Sequence, residues 1–124
     1  MAGARTILVV DDSASVRQQL RQALEEGGYS VVEADNGESG LAAARDAPVD
    51  LMIVDVNMPI MDGIEMIAKV RALKEHKSTP IFVLTTESGA SAVKDGKSAG
   101  ATAWIVKPVK PDALVKGIRA TLGA

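Results

Sequence analysis

Residues 52–63 read MIVDVNMPIMDG, and the fold turns on how the acid inside them is read. An apolar run, Leu51 to Val54, ends in a carboxylate, Asp55, and a Pro and a Gly follow within a few residues. Such an unbroken run, rather than an alternating one, suits a strand covered on both faces. Asp55 would then stand at the strand's tip, just before a sharp turn that Gly63 would let bend tightly.

Four further apolar segments flank this one: Ile7–Val10, Val31–Val32, Ile81–Leu84 and Ala103–Val106. The second is weak and runs straight into Glu33, which suits a sheet edge. Helical spacing fills the gaps. Val16, Leu20, Ala23 and Leu24 recur at i, i+4, i+7 and i+8, after Asp12 or Ser13 as a cap. Met66, Val70 and Leu73 repeat the pattern, as do Leu114, Ile118 and Leu122. Gly37–Arg45 is a shorter helix candidate with Leu41 and Ala44 facing inward. Ser88–Gly100, rich in Gly and Ser, is assigned as the fourth helix by its place in the order alone.

Strand and helix alternate five times, which predicts an α/β fold with a doubly wound parallel sheet. For five strands the flavodoxin-like order 2-1-3-4-5 is expected, with the weak second strand at an edge. Ligands in such sheets bind beyond the carboxyl ends of the strands. Asp11 and Asp12 end the first strand, Asp55 the third, Thr85 and Thr86 the fourth, and Lys107, before Pro108, the fifth. Three crowded carboxylates repel, and one or more of their pKa values should rise unless a cation is present. Mg²⁺, a hard cation that takes oxygen ligands, fits this donor set, with Mn²⁺ as the alternative metal. No His or Cys stands near enough in sequence to suggest zinc. A carboxylate nucleophile beside Mg²⁺, with a lysine and a hydroxyl across the pocket, suits phosphoryl transfer.

Simpler roles exist for several of these residues. Asp11 or Asp12 could serve only as a helix cap, and Asp62 as the cap of the third helix. His76, in the polar stretch Lys74–Thr79, reads as a solvated loop residue without a catalytic role. Lysines 94, 97, 107, 110 and 116 form either a positive face near the fourth and fifth helices or a scatter of solvated side chains.

At 124 residues, with 47% hydrophobic and 24% charged residues, the chain is expected to form a single domain over 1–124 with no output domain. A net charge of −2 argues against nonspecific nucleic-acid binding. No apolar stretch approaches membrane-spanning length and no signal peptide is legible, so a cytoplasmic protein, a monomer, is the expectation.

The motifs ILVVDDS, MIVDVNMPIMDG, LTTES and WIVKP, in that order, make the sequence resemble the receiver domain of two-component response regulators, specifically the stand-alone chemotaxis (CheY) type. The resemblance covers essentially the whole chain and implies roles residue by residue. Asp55 is the phosphoacceptor. Asp11 and Asp12 hold Mg²⁺ together with Asp55 and the backbone carbonyl of Asn57. Thr85 is the switch hydroxyl and Lys107 pairs with a phosphoryl oxygen. Asn57, Thr86 and Glu87 border access to the acyl phosphate, and the Lys107–Pro108 bond is cis. Trp104 occupies the aromatic position whose rotamer reports activation; the alternative is a large edge-strand residue packing on the last helix. Thr86 stands where the best-known chemotaxis regulators carry a smaller residue, and Val109 where an aromatic often follows Lys-Pro.

The implied function is that of a signalling switch. A histidine kinase donates phosphoryl to Asp55, and the face formed by the fourth helix, fifth strand and fifth helix then binds a separate output protein, in chemotaxis the flagellar motor switch. A phosphate sink or phosphorelay receiver is a related role. On this reading the protein is no enzyme beyond its own phosphotransfer and autodephosphorylation. From another class comes an Mg²⁺-dependent aspartyl-phosphate phosphohydrolase, but Asn57 puts an amide where such an enzyme would want an acid.

Overall fold

The run Leu51–Asp55 is buried at every residue because it forms the central strand of the sheet. The structure, a computed structural model, describes residues 5–86 and 97–123. Its strands are β1 (Thr6–Val10), β2 (Ser30–Ala34), β3 (Leu51–Asp55), β4 (Ile81–Thr85) and β5 (Ala103–Val106). All pair in parallel in the order β2-β1-β3-β4-β5, the expected flavodoxin-like arrangement. The weak second strand lies at an edge.

Helices α1 (Ala14–Glu26), α2 (Gly37–Asp46) and α3 (Gly63–Arg71) and a C-terminal helix (Pro111–Leu122) cover the sheet. Most of the fourth helix candidate, with Glu87 and Lys94, lies outside the described residues. Alternate residues of each strand feed two cores. Leu8, Val10, Met52, Val54 and Val83 pack with Leu41, Met66, Ile67 and Val70 on one face. Ile7, Val9, Ile53 and Leu84 pack with Leu20, Leu24, Leu114 and Ile118 on the other.

The caps decide where the acids are left. Ser13 caps α1, its hydroxyl accepting the Val16 N–H at 3.3 Å. Asp62 caps α3, accepting the Glu65 N–H at 2.8 Å. Neither Asp11 nor Asp12 is therefore needed as the α1 cap.

Three expectations need correction. The turn after β3 does not bend at Gly63: the residue in the left-handed region is Ile60, at φ 70°, and its side chain is 75% exposed. Gly63 is small for another reason. A Cβ there would lie 2.3 Å from the Asp55 carbonyl oxygen, because the first turn of α3 rests on the backbone of the acid.

His76 is buried, not solvated. The short 3-10 turn Lys74–His76 folds its ring under the end of α2, where Nε2 lies 2.8 Å from the Ala44 carbonyl. That carbonyl only accepts, so Nε2 carries the hydrogen, and in the neutral ring Nδ1 accepts from the Thr79 hydroxyl at 2.8 Å. Polar neighbours in sequence hid a buried position whose hydrogen-bond partners come from the tertiary fold.

Trp104, half-buried, packs with the face that holds α2 and α3, whereas the C-terminal helix lies on the other. Packing on the last helix is excluded because position 104 alternates with Ala103 and Ile105, which take that side. Arg71 then ties the return to β5: its guanidinium donates to the carbonyls of Gly100, His76 and Thr79. Gly100, at φ 112°, leaves space for that side chain.

A β-branched residue at positive φ is strained by about 1–2 kcal/mol. Ile60→Asn is expected to raise the denaturant midpoint, by up to about 1 kcal/mol of stability, whereas Gly63→Ala should lower it by about 1–3 kcal/mol. Paired urea titrations check both; an unchanged or lower midpoint for Ile60→Asn would contradict the strain assignment.

Candidate functional site

Strand ends bring the acids to one rim. Asp11 follows β1 directly and is fully buried, with its Oδ1 accepting the Ser13 N–H at 2.9 Å. Asp12, next to it, is exposed. Asp55, the last residue of β3, is 4% exposed. Carboxylate oxygens of these three residues lie within 4.8 Å of one another. Lys107, one residue past β5, reaches across: its Nζ lies 3.1 Å from Asp11 Oδ2 and 3.2 Å from Asp55 Oδ1.

The electrostatics follow from this crowding. Burial pushes the Asp55 carboxyl above the usual aspartate range, the negative charge of Asp11 pushes it further, and Lys107 offsets part of the rise. For Lys107, burial pulls the ammonium down, but its bonds to Asp11 and Asp55 outweigh that and leave it raised. Among the described residues, one lysine thus pairs with two of three clustered carboxylates, which leaves a negative excess. Hard oxygen donors this close fit a divalent cation such as Mg²⁺, with Asp11, Asp12 and Asp55 as its carboxylate ligands.

Of the remaining sequence-derived residues, Thr85 and Thr86 lie at the same rim and Trp104 does not. Thr85 ends β4 and is buried, and its carbonyl accepts the Lys107 N–H at 2.7 Å, which couples the tips of β4 and β5. Thr86 is exposed and lines a groove with Val16, Leu20, Lys107, Pro108 and Val109. Asn57 is exposed in the turn after β3. The Lys107–Pro108 bond is cis. Trp104 sits two residues before the end of β5, removed along the strand from the rim acids. Glu87 lies outside the described residues.

Arg17 was not singled out by its sequence pattern. Its guanidinium donates to the Asp11 carbonyl oxygen at 2.6 Å and to Glu33 at 3.1 Å. Its position, one turn after the Ser13 cap and across from the acid that interrupts β2, was the available signal.

A family model described as "Response regulator receiver domain" matches residues 7–119. The chain is 40% identical over 116 residues to the transcriptional regulatory protein ResD of Bacillus subtilis, covering 94% of this chain but 47% of ResD. It is 38% identical over 119 residues to a chemotaxis protein CheY homolog of Campylobacter jejuni, covering 94% of this chain and 92% of the relative. The chemotaxis response regulator CheY4 of Vibrio cholerae superposes with a TM-score of 0.91 at 43% identity, over 96% of this chain and 99% of that one.

A carboxyl whose pKa is higher in the folded than in the unfolded chain binds its proton more tightly when folded. Its ionised form therefore weakens the fold, fully above the raised folded value and not at all below the unfolded one. In chelator, Asp55→Asn is expected to melt higher than the unsubstituted protein at pH 7, with the difference shrinking as pH falls from the raised Asp55 value to the ordinary aspartate value. A difference independent of pH, or a lower melting point at pH 7, would contradict this reading.

Proposed function

Because the chain belongs to the response regulator receiver domain family, we propose that Asp55 is its phosphoacceptor and that phosphorylation switches a partner-binding face. The observation that carries this reading is the Lys107 ammonium held between Asp11 and Asp55 on the same rim as Asp12. A carboxylate oxygen of Asp55 attacks phosphorus. The new O–P bond forms as the bond from phosphorus to the donor's leaving nitrogen or oxygen breaks, and the donor departs with that electron pair. Lys107, already cationic and aimed at Asp55, pairs with a phosphoryl oxygen. Bound Mg²⁺ supplies positive charge to balance the rim acids and the incoming phosphoryl oxygens.

The donor is a histidine kinase, and the switch is a population shift driven by contacts that differ between states. Thr85 and Lys107 are the residues placed to feel the phosphoryl group, and the backbone bond between them joins their responses. The output is a separate protein in the cytoplasm. Similarity to the CheY homolog, over 92% of its length, favours a chemotaxis role with the flagellar motor switch as target. A phosphate-sink or phosphorelay role would use the same chemistry. The chain acts as a stoichiometric acceptor, catalysing only its own phosphotransfer and dephosphorylation: two residues after Asp55, Asn57 offers an amide, not an acid.

Intact mass after treatment with acetyl phosphate and Mg²⁺ tests the reading. One phosphoryl group per chain is expected, gained only when Mg²⁺ is present and absent in Asp55→Asn; continuous turnover of a phosphate ester would instead indicate a phosphohydrolase. Because Thr86 is exposed beside Lys107, Thr86→Ala should take up phosphoryl from acetyl phosphate several-fold faster, read by the rate of that mass gain. No acceleration would remove Thr86 as the barrier to small donors.

A further inference from the structure

Arg17 lies one turn into α1, its N–H donating to the carbonyl of the cap residue Ser13 at 3.1 Å. Its side chain, 18% exposed, binds two partners of different kinds. Nε pairs with Glu33 Oε1 of β2, and Nη1 donates to the main-chain oxygen of Asp11. One turn further on, Arg21 Nη1 takes the other oxygen of the same carboxylate, Glu33 Oε2, at 2.6 Å. Two arginines of one helix thus share Glu33, but of the pair only Arg17 reaches the backbone that carries the acids.

That backbone contact has a geometric consequence. The carbonyl of Asp11 and the N–H of Asp12 belong to one planar peptide unit, so fixing the oxygen fixes the plane. The Asp11 side chain is already held by the Ser13 N–H and by Lys107. Asp12 is exposed, and its place relative to the other two acids depends on the direction in which its backbone leaves that plane. We infer that Arg17 is a positioning residue for the cation-binding acids: it clamps the Asp11–Asp12 peptide so that both carboxylates face the site. Glu33 orients the guanidinium and offsets its charge, which would otherwise oppose a metal ion nearby. This rests on the reading of the rim as a Mg²⁺ site.

Calorimetric titration of the full chain with Mg²⁺ tests the inference, with melting points in chelator measured alongside. Arg17→Ala should raise the Kd roughly tenfold, the scale of lost support behind a metal ligand. Arg17→Lys, which keeps a donor and a charge, should recover part of that loss. Arg21→Ala removes the same charge and loosens the same Glu33, yet leaves Asp11 clamped; its Kd should be unchanged or lower. Loss of positive charge alone tightens cation binding, so electrostatics runs against the expected weakening.

Tighter Mg²⁺ binding in both alanine variants would overturn the inference. Equal weakening in both, in step with their melting points, would do so too. Should Arg17→Ala fail to fold, Arg17→Lys against Arg21→Ala decides in the same way. Normal Mg²⁺ affinity in the unsubstituted protein and in Arg17→Ala would sink the clamp alone; no Mg²⁺ binding by the unsubstituted protein would sink the metal reading and the clamp together.

Discussion

The Lys107 ammonium bridges two buried acids that would otherwise repel each other. Lys107 stands 3.1 Å from Asp11 and 3.2 Å from Asp55, two acids buried at the ends of adjacent strands, with Asp12 beside them. Without it the central sheet would end in uncompensated buried negative charge, which is expensive in a low-dielectric setting. Among the described residues the balance is incomplete, because one lysine cannot neutralise three carboxylates. What remains is an acidic cluster whose hard oxygen donors suit a divalent cation. The parallel sheet makes this possible by delivering β1, β3, β4 and β5 to the same edge.

The placement of that rim was legible in the sequence because strand pattern and topology alone determine it. Continuous apolar runs before Asp11, Asp55 and Thr85 identify buried parallel strands, and their carboxyl ends must then meet. Even the weak strand at Val31–Val32 gave itself away, since Glu33 in an apolar run marks an edge. Apolar spacing located the helices among the described residues to within a few residues, as with Leu20 and Leu24 of α1.

Other features were hidden because they depend on contacts distant in sequence. His76 looks solvated among Lys74, Glu75 and Lys77, and only the tertiary fold supplies Ala44 as its partner, 32 residues away. Gly63 looks like a bend, but its smallness answers to the Asp55 carbonyl packed against it, while the strained turn residue is Ile60, whose type gives no warning of a positive φ. Trp104 shows no preference for either face until the register of β5 against β4 is known. Arg17 resembles any helical surface arginine until α1 is set beside β2 and the Asp11 carbonyl turns toward it.

The central claim is that the rim confines a buried carboxylate whose charge is only partly balanced, and that a divalent cation completes the balance. The most direct measurement is the titration of the Asp55 side-chain carboxyl by carbon NMR, in chelator and at saturating Mg²⁺. The account requires an Asp55 pKa above the ordinary aspartate range without metal, falling when Mg²⁺ binds. An ordinary value in chelator, or one that Mg²⁺ leaves unmoved, would contradict it.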